Sequence, residues 1–174
     1  MEINPEECVI LVNAHDKAIG TMKKFEAHEQ GLLHRAFSVL LFNKNGEILL
    51  QQRAEDKYHS GGLWTNTCCS HPMPSESTLE AAERRLQEEM GIKALLTLKF
   101  SFTYKCELDN DMMEHEYDHV FYGRFDGEPV LNPDEAMDFK YMSISDIKSD
   151  IKSNPDNYTV WFKLIMDRVE RYKF

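Results

Sequence analysis

The stretch WTNTCCSHP, residues 64–72, sets two thiols side by side, with an imidazole two residues beyond the second. A thiol can carry a proton, and a neutral imidazole can bind a metal. Two more imidazoles, His28 and His34, flank the turn-like segment HEQGLLH. Glu114 and Glu116 share one face if their segment is extended, because strand side chains repeat every two residues. His28, His34, His71, Glu114 and Glu116 can make a five- or six-coordinate site for a borderline divalent metal if the fold brings them together. His15, His59, His115 and His119 read as ordinary histidines; His119, three residues past Glu116, faces the other way.

The elements that must position these groups are partly legible. Cys8–Val12 is apolar and β-branched, and predicts a strand. A turn follows at His15 and Asp16, then a helical or irregular stretch over residues 21–28. Residues 36–42 hold too few polar groups for a solvent-facing edge strand. A hairpin turn at 43–46 leads to a strand over 47–51, and a glycine-containing loop over 52–64. Pro72 and Pro74 stop any strand after the cysteines. Ser77 followed by Glu80 predicts a capping box opening a helix that Gly91 closes. On that helix Leu79, Ala82, Glu83, Leu86 and Met90 cluster, Glu89 borders the buried stripe and Glu88 points away. Further strands are expected over 95–106, 116–125 and 139–142. A last helix is expected over 157–171, with Trp161, Leu164, Ile165 and Arg168 on one face.

The totals bound the class. A chain of 174 residues, 42% hydrophobic and 29% charged, suits one globular domain, residues 1–174, with a substantial core. The net charge of -10 argues against nucleic acid or acidic lipid as partner. Six acids crowd the stretch from Glu107 to Asp118, which as a charge run reads first as solvated surface. No apolar run reaches the roughly 18 residues a membrane helix needs, and the start MEINPEECVI lacks a leader's character. A cytoplasmic protein is expected. Cys8, Cys68, Cys69 and Cys106 form no CxxC pair, and free cysteines are usually small buried hydrophobes. Strands mixed with two clear helices predict an α+β sandwich of sheet and helices.

After the cysteines, Glu76, Arg84, Leu86, Glu88, Glu89, Gly91 and Ile92 fall in register with the Nudix box. The likeness implies a Nudix-like mixed β-sheet sandwich flanked by helices. Ser70 stands where the box has its first glycine, and Arg85 where it has a further glutamate. In Nudix hydrolases those glutamates hold cations that activate water against a pyrophosphate. A cation in place of one carboxylate weakens such a site, so the fold can persist without hydrolysis.

WTNTCCSHP, the altered box and the EHE of Glu114 to Glu116 together resemble the metal-dependent, flavin-independent isopentenyl-diphosphate isomerases. The likeness runs from about Val9 to Trp161. It implies interconversion of isopentenyl and dimethylallyl diphosphate, with Cys69 and Glu116 as the catalytic pair and Tyr104 near the double bond. It implies a metal site of His28, His34, His71, Glu114 and Glu116 for zinc, manganese or magnesium. It further implies Glu89 for magnesium with the diphosphate, Lys24, Arg53 and Lys57 as diphosphate contacts, and Trp161 as an aromatic wall. No flavin and no nucleotide are expected. On this reading Glu116, assisted by Tyr104, protonates C4 while Cys69 as thiolate takes the C2 proton, and Trp161 faces the developing charge. Cys68 is left to packing.

Two rivals make different demands. A Nudix hydrolase of nucleoside diphosphate derivatives would need Glu88 and Glu89 with cations and could dispense with Cys69. A binding module or structural zinc protein would need no acid, thiol and ligand set together. A monomer is the default expectation for assembly.

Overall fold

The computed structural model describes residues 8–108 and 111–174, and the start of the chain and Asp109 in the acidic stretch lie outside the described residues. Among the described residues nine strands form one mixed sheet with helices on both faces, so the α+β expectation holds. The strands are β1 (Cys8–Val12), β2 (Ala18–Lys23), β3 (His34–Phe42), β4 (Ile48–Arg53), β5 (Trp64–Thr65), β6 (Cys68–Ser70), β7 (Thr97–Glu107), β8 (Met113–Arg124) and β9 (Ala136–Met142). The helices are α1 (Lys24–Glu29), α2 (Thr78–Met90), α3 (Ile144–Ser153) and α4 (Val160–Met166).

β3 is the organising strand. After Arg35 its sequence carries no charge, and both of its faces are buried. Such a strand needs partners on both edges and cover on both faces. It pairs parallel with β8 from His34↔Glu116 to Phe42↔Arg124, and antiparallel with β6 through Ser38↔Cys69 and Val39↔Cys68. Its alternate residues feed two cores. Phe37, Val39 and Leu41 pack with Ala82, Leu86 and Met90 of α2. Leu40 and Phe42 pack with Trp161, Phe162 and Ile165 of α4.

α2 forms as the capping box requires: the Ser77 hydroxyl accepts from Glu80 N while Glu80 returns a bond to the Ser77 backbone. Gly91 ends it at φ 65°, where a Cβ would meet the Val130 carbonyl at 2.8 Å. The buried stripe is Ala81, Ala82, Leu86, Glu89 and Met90. Leu79 and Glu83, placed in that stripe from the sequence, are exposed, whereas Glu89 lies inside it. Glu89 tolerates burial because it is paired.

Three elements depart from expectation. β2 is a strand where a helical or irregular stretch was expected to begin at Thr21; it hangs on β1 alone and is almost wholly exposed, so no apolar alternation marks it. α3 was not expected, though Ser143 caps it by accepting from Asp146 N at 3.1 Å. The last helix is shorter than 157–171. Thr159 N donates to the Trp64 carbonyl at 3.0 Å, which delays the start until Val160. Arg168 Nη1 takes the Leu164 carbonyl at 2.7 Å and the backbone tightens into a 3-10 turn, Val169–Arg171. Among the described residues no helix is long and apolar enough to cross a membrane.

Candidate active site

The register of the sheet assembles the site. Along β3, His34, Ala36 and Ser38 face one side. Opposite them on β8 stand Glu116 and Asp118, and opposite Glu116 on β7 stands Tyr104. Cys69 reaches the same side from β6, across from Ser38. Cys68 alternates to the other face and is fully buried in the α2 core, where the sequence left it. His115 and His119 also fall on the far face. His115 Nδ1 lies 3.0 Å from the Gly31 carbonyl, and His119 Nε2 lies 2.9 Å from Asp16.

His28, His34, His71, Glu114 and Glu116 come together, with one candidate ligand atom from each within 4.8 Å of all the others. They arrive from α1, β3, the turn after β6, and β8. The Nδ1–H of His28 donates to the Lys24 carbonyl at 2.6 Å, and that of His34 to the Leu32 carbonyl at 2.8 Å. Both bonds turn an Nε2 lone pair toward the cluster, the usual way an imidazole is oriented for a metal. His28 Nε2, His34 Nε2, His71 Nδ1 and Glu114 Oε2 are buried without a hydrogen-bond partner. Leaving four such atoms unsatisfied is costly, so the donor set fits a divalent metal.

Glu116 is the most heavily used of these groups. Its Oε1 lies 2.8 Å from His71 Nε2 and 3.6 Å from His34 Nε2, while its Oε2 accepts the Tyr104 hydroxyl at 2.7 Å. Burial resists its charge, but His34 and Tyr104 outweigh burial and hold the carboxyl at about 2. Burial pushes the Cys69 thiol up to about 12, against the pull of Arg53. It also pushes His71 well below the ordinary histidine value, helped by His34. Burial thus favours the protonated thiol of Cys69, while the neighbours of Glu116 favour its ionised form.

Cys69, Glu116, Tyr104, Glu89, Lys24, Arg53, Lys57 and Trp161 all line one cavity. The cations are not equivalent. Arg53 is fixed by the carbonyls of Ser60 and His59 at 3.1 Å each, and its guanidinium lies 5.3 Å from the Trp161 ring. Trp161 is therefore a wall that shares its face with a resident cation. Lys24 lies 5.0 Å from the Tyr58 ring, and burial lowers its pKa. Lys57 contacts Glu135. Glu89 accepts from Arg85 Nη2 at 2.8 Å and from Gln51 Nε2 at 3.0 Å. Glu88, exposed as expected, binds Arg84 and Arg85.

Several residues in or beside the cavity were not expected from the sequence. His59, expected to be an ordinary histidine, is buried 3.4 Å from Glu114, with its ring edge-on to Trp161. Burial pulls it down to about 3. A loop of mixed composition gives no sign of such a position. Asp118, taken with the solvated acidic run, is fully buried and accepts from Ser38 at 2.9 Å. The period of two from Glu114 and Glu116 was the available signal. Arg85 was noted as a departure, but its partners Glu89 and Glu135 were not foreseen. Glu135 comes from the turn before β9 and had no motif to announce it.

A family model for the NUDIX domain matches residues 32–162, the span from β3 to α4. A Deinococcus radiodurans crystal structure shares this fold at a TM-score of 0.79 and 17% identity, covering 93% of this chain and 98% of its own. The MutT protein of Methanosarcina mazei shares it at 0.66 and 22% identity, covering 80% and 94%. Sequence relatives are more specific. The chain is 52% identical to the isopentenyl-diphosphate Delta-isomerase of Pectobacterium atrosepticum, over 94% of this chain and 92% of that one. It is 49% identical to isopentenyl-diphosphate Delta-isomerase 2 of Aromatoleum aromaticum, over 94% and 87%. The chain belongs to the isopentenyl-diphosphate Delta-isomerase family, within the Nudix fold.

Proposed function

We propose that this chain interconverts isopentenyl and dimethylallyl diphosphate by adding one proton to the carbon skeleton and removing another, through Cys69 and Glu116. The observation that carries this reading is their placement: they reach one cavity from β6 and β8, the strands on either side of β3. An isomerisation takes up one proton and releases one, so its catalytic pair must hold a single transferable proton. A thiol and a carboxyl that share one proton between them meet that need.

Tyr104 holds the Glu116 carboxylate by its Oε2 and keeps it aimed. A divalent metal at His28, His34, His71, Glu114 and Glu116, whether magnesium, zinc or manganese, would fix that carboxylate further and lower its proton affinity when bound. Lys24, Arg53 and Lys57 hold the diphosphate, with magnesium at Glu89. Tyr104 and Trp161 wall the site and keep water from the positive charge that develops on carbon. Hydrolysis of a nucleoside diphosphate derivative fits less well, because Arg85 stands where the Nudix box has a further glutamate, which leaves fewer carboxylates to hold several cations.

Incubation with isopentenyl diphosphate and magnesium, without flavin or nucleotide, tests the proposal by NMR. Dimethylallyl diphosphate is the expected product. Release of phosphate with no isomer formed would overturn the reading.

A further inference from the structure

Two cations beside the diphosphate position already have an anion. Lys57 Nζ contacts Oε2 of Glu135, and Arg85 Nη2 donates to Oε1 of the same carboxylate at 2.9 Å. Glu135 thus bridges the two cations with one oxygen each, as two oxygens of a phosphate group would. It lines the cavity beside Lys24, Arg53, Lys57 and Arg85.

The carboxylate is delivered there by fixed backbone. Ala54 N donates to the Glu135 carbonyl at 3.0 Å, and Glu135 N donates to the Asn132 carbonyl at 2.9 Å. Asn132 N in turn donates to the Glu89 carbonyl at 2.9 Å. The turn is therefore tied both to the end of β4 and to the C-terminal end of α2. Burial resists ionisation of Glu135, but Lys57 and Arg85 overcome it and hold the carboxyl below its usual range.

We infer that Glu135 is a specificity-determining residue, an internal counter-anion with which an incoming phosphate group must compete for Lys57 and Arg85. The inference rests on the diphosphate cradle proposed above. A monophosphate gains little by replacing a carboxylate that already makes two charge-assisted contacts. A diphosphate also reaches Lys24 and Arg53, and brings magnesium with it, so it binds with the exchange only partly made and bears only part of that cost. Glu135 then discriminates by competition rather than by contact with the ligand, a form of selection against the weaker anion.

Calorimetric titration of the full, metal-loaded chain with inorganic pyrophosphate and inorganic phosphate tests this, using wild type, Glu135→Gln and Lys57→Gln. Glu135→Gln is expected to bind phosphate about tenfold more tightly, the order of one charge-assisted contact. Pyrophosphate should gain less, so the ratio of the two affinities narrows. Lys57→Gln is expected to weaken pyrophosphate binding. An unchanged ratio in Glu135→Gln, with Lys57→Gln still weakened, would overturn the counter-anion and leave the cradle standing. Unchanged pyrophosphate binding in Lys57→Gln would remove the cradle and the inference with it. If Glu135→Gln fails to melt cooperatively, Glu135→Asp, one methylene short of both cations, carries the same comparison.

Discussion

The Tyr104 hydroxyl donates to Oε2 of Glu116 at 2.7 Å, and so decides which oxygen of that carboxylate faces the imidazoles. The other oxygen, Oε1, is the one near His71 and His34. Tyr104 and Glu116 are cross-strand neighbours on β7 and β8, so the bond follows from strand register. Tyr104→Phe keeps the ring and its packing and deletes only this bond. It should lower kcat by roughly 10- to 100-fold with KM little changed, and cost about 1 kcal/mol of stability. Steady-state kinetics and urea unfolding on one preparation check both. A rise in KM at constant kcat would place Tyr104 in binding instead.

The three imidazoles and two carboxylates carry four buried unsatisfied atoms among them. A divalent metal added to the chelated protein should therefore raise its unfolding free energy, by about 2.7 kcal/mol at a hundredfold excess over Kd. His28→Ala and Glu114→Gln should shrink that gain and lose metal on dialysis. Thermal melts with metal analysis provide the check.

Arg85 neutralises Glu89 and Glu135 with a single nitrogen, Nη2. Arg85→Glu would restore the Nudix carboxylate but set it against two others. It should destabilise the chain by about 1–3 kcal/mol at neutral pH, since the buried Glu89 loses its cation and Glu135 loses one of its two. Added magnesium should recover part of the loss. Denaturant midpoints with and without magnesium measure it; an unchanged midpoint would contradict the pairing.

Glu76 and Arg84 join the loop before α2 to the helix, with Arg84 Nη2 donating to Glu76 Oε2 at 2.9 Å. The Arg84 guanidinium holds the Glu76 carboxyl below its ordinary value of 4.5. A carboxyl lowered by folding stabilises fully above the unfolded value, and that share is lost as pH falls through the folded value. Glu76→Gln should therefore be less stable than wild type at pH 7, and the difference should shrink as pH falls below the ordinary carboxyl range. Paired urea titrations at the two pH values check the sign.

The fold was most legible where local chemistry and packing agree. The Ser77 and Glu80 box, the Gly91 cap and the apolar run of β3 each name their own structure. β2 was not legible because an exposed edge strand needs no apolar pattern. The shortened α4 depends on the Trp64 carbonyl, nearly a hundred residues away in sequence. The residues that meet in the cavity and in the imidazole cluster were nameable from their motifs and from the resemblance those motifs carry. Their partners were less so: Glu135 and His59 take their places from tertiary neighbours, and Asp118 shows in the sequence only through its period of two with Glu114 and Glu116.

The most direct measurement is deuterium incorporation. Isopentenyl diphosphate would be incubated in heavy water with wild type, Cys69→Ala and Glu116→Gln, with magnesium and the metal-loaded chain. Wild type is expected to give dimethylallyl diphosphate carrying solvent deuterium. Each variant should lose roughly 10²- to 10⁴-fold in rate while still binding pyrophosphate. Dimethylallyl diphosphate formed without deuterium, or formed at the wild-type rate by Cys69→Ala, would contradict proton transfer through this pair.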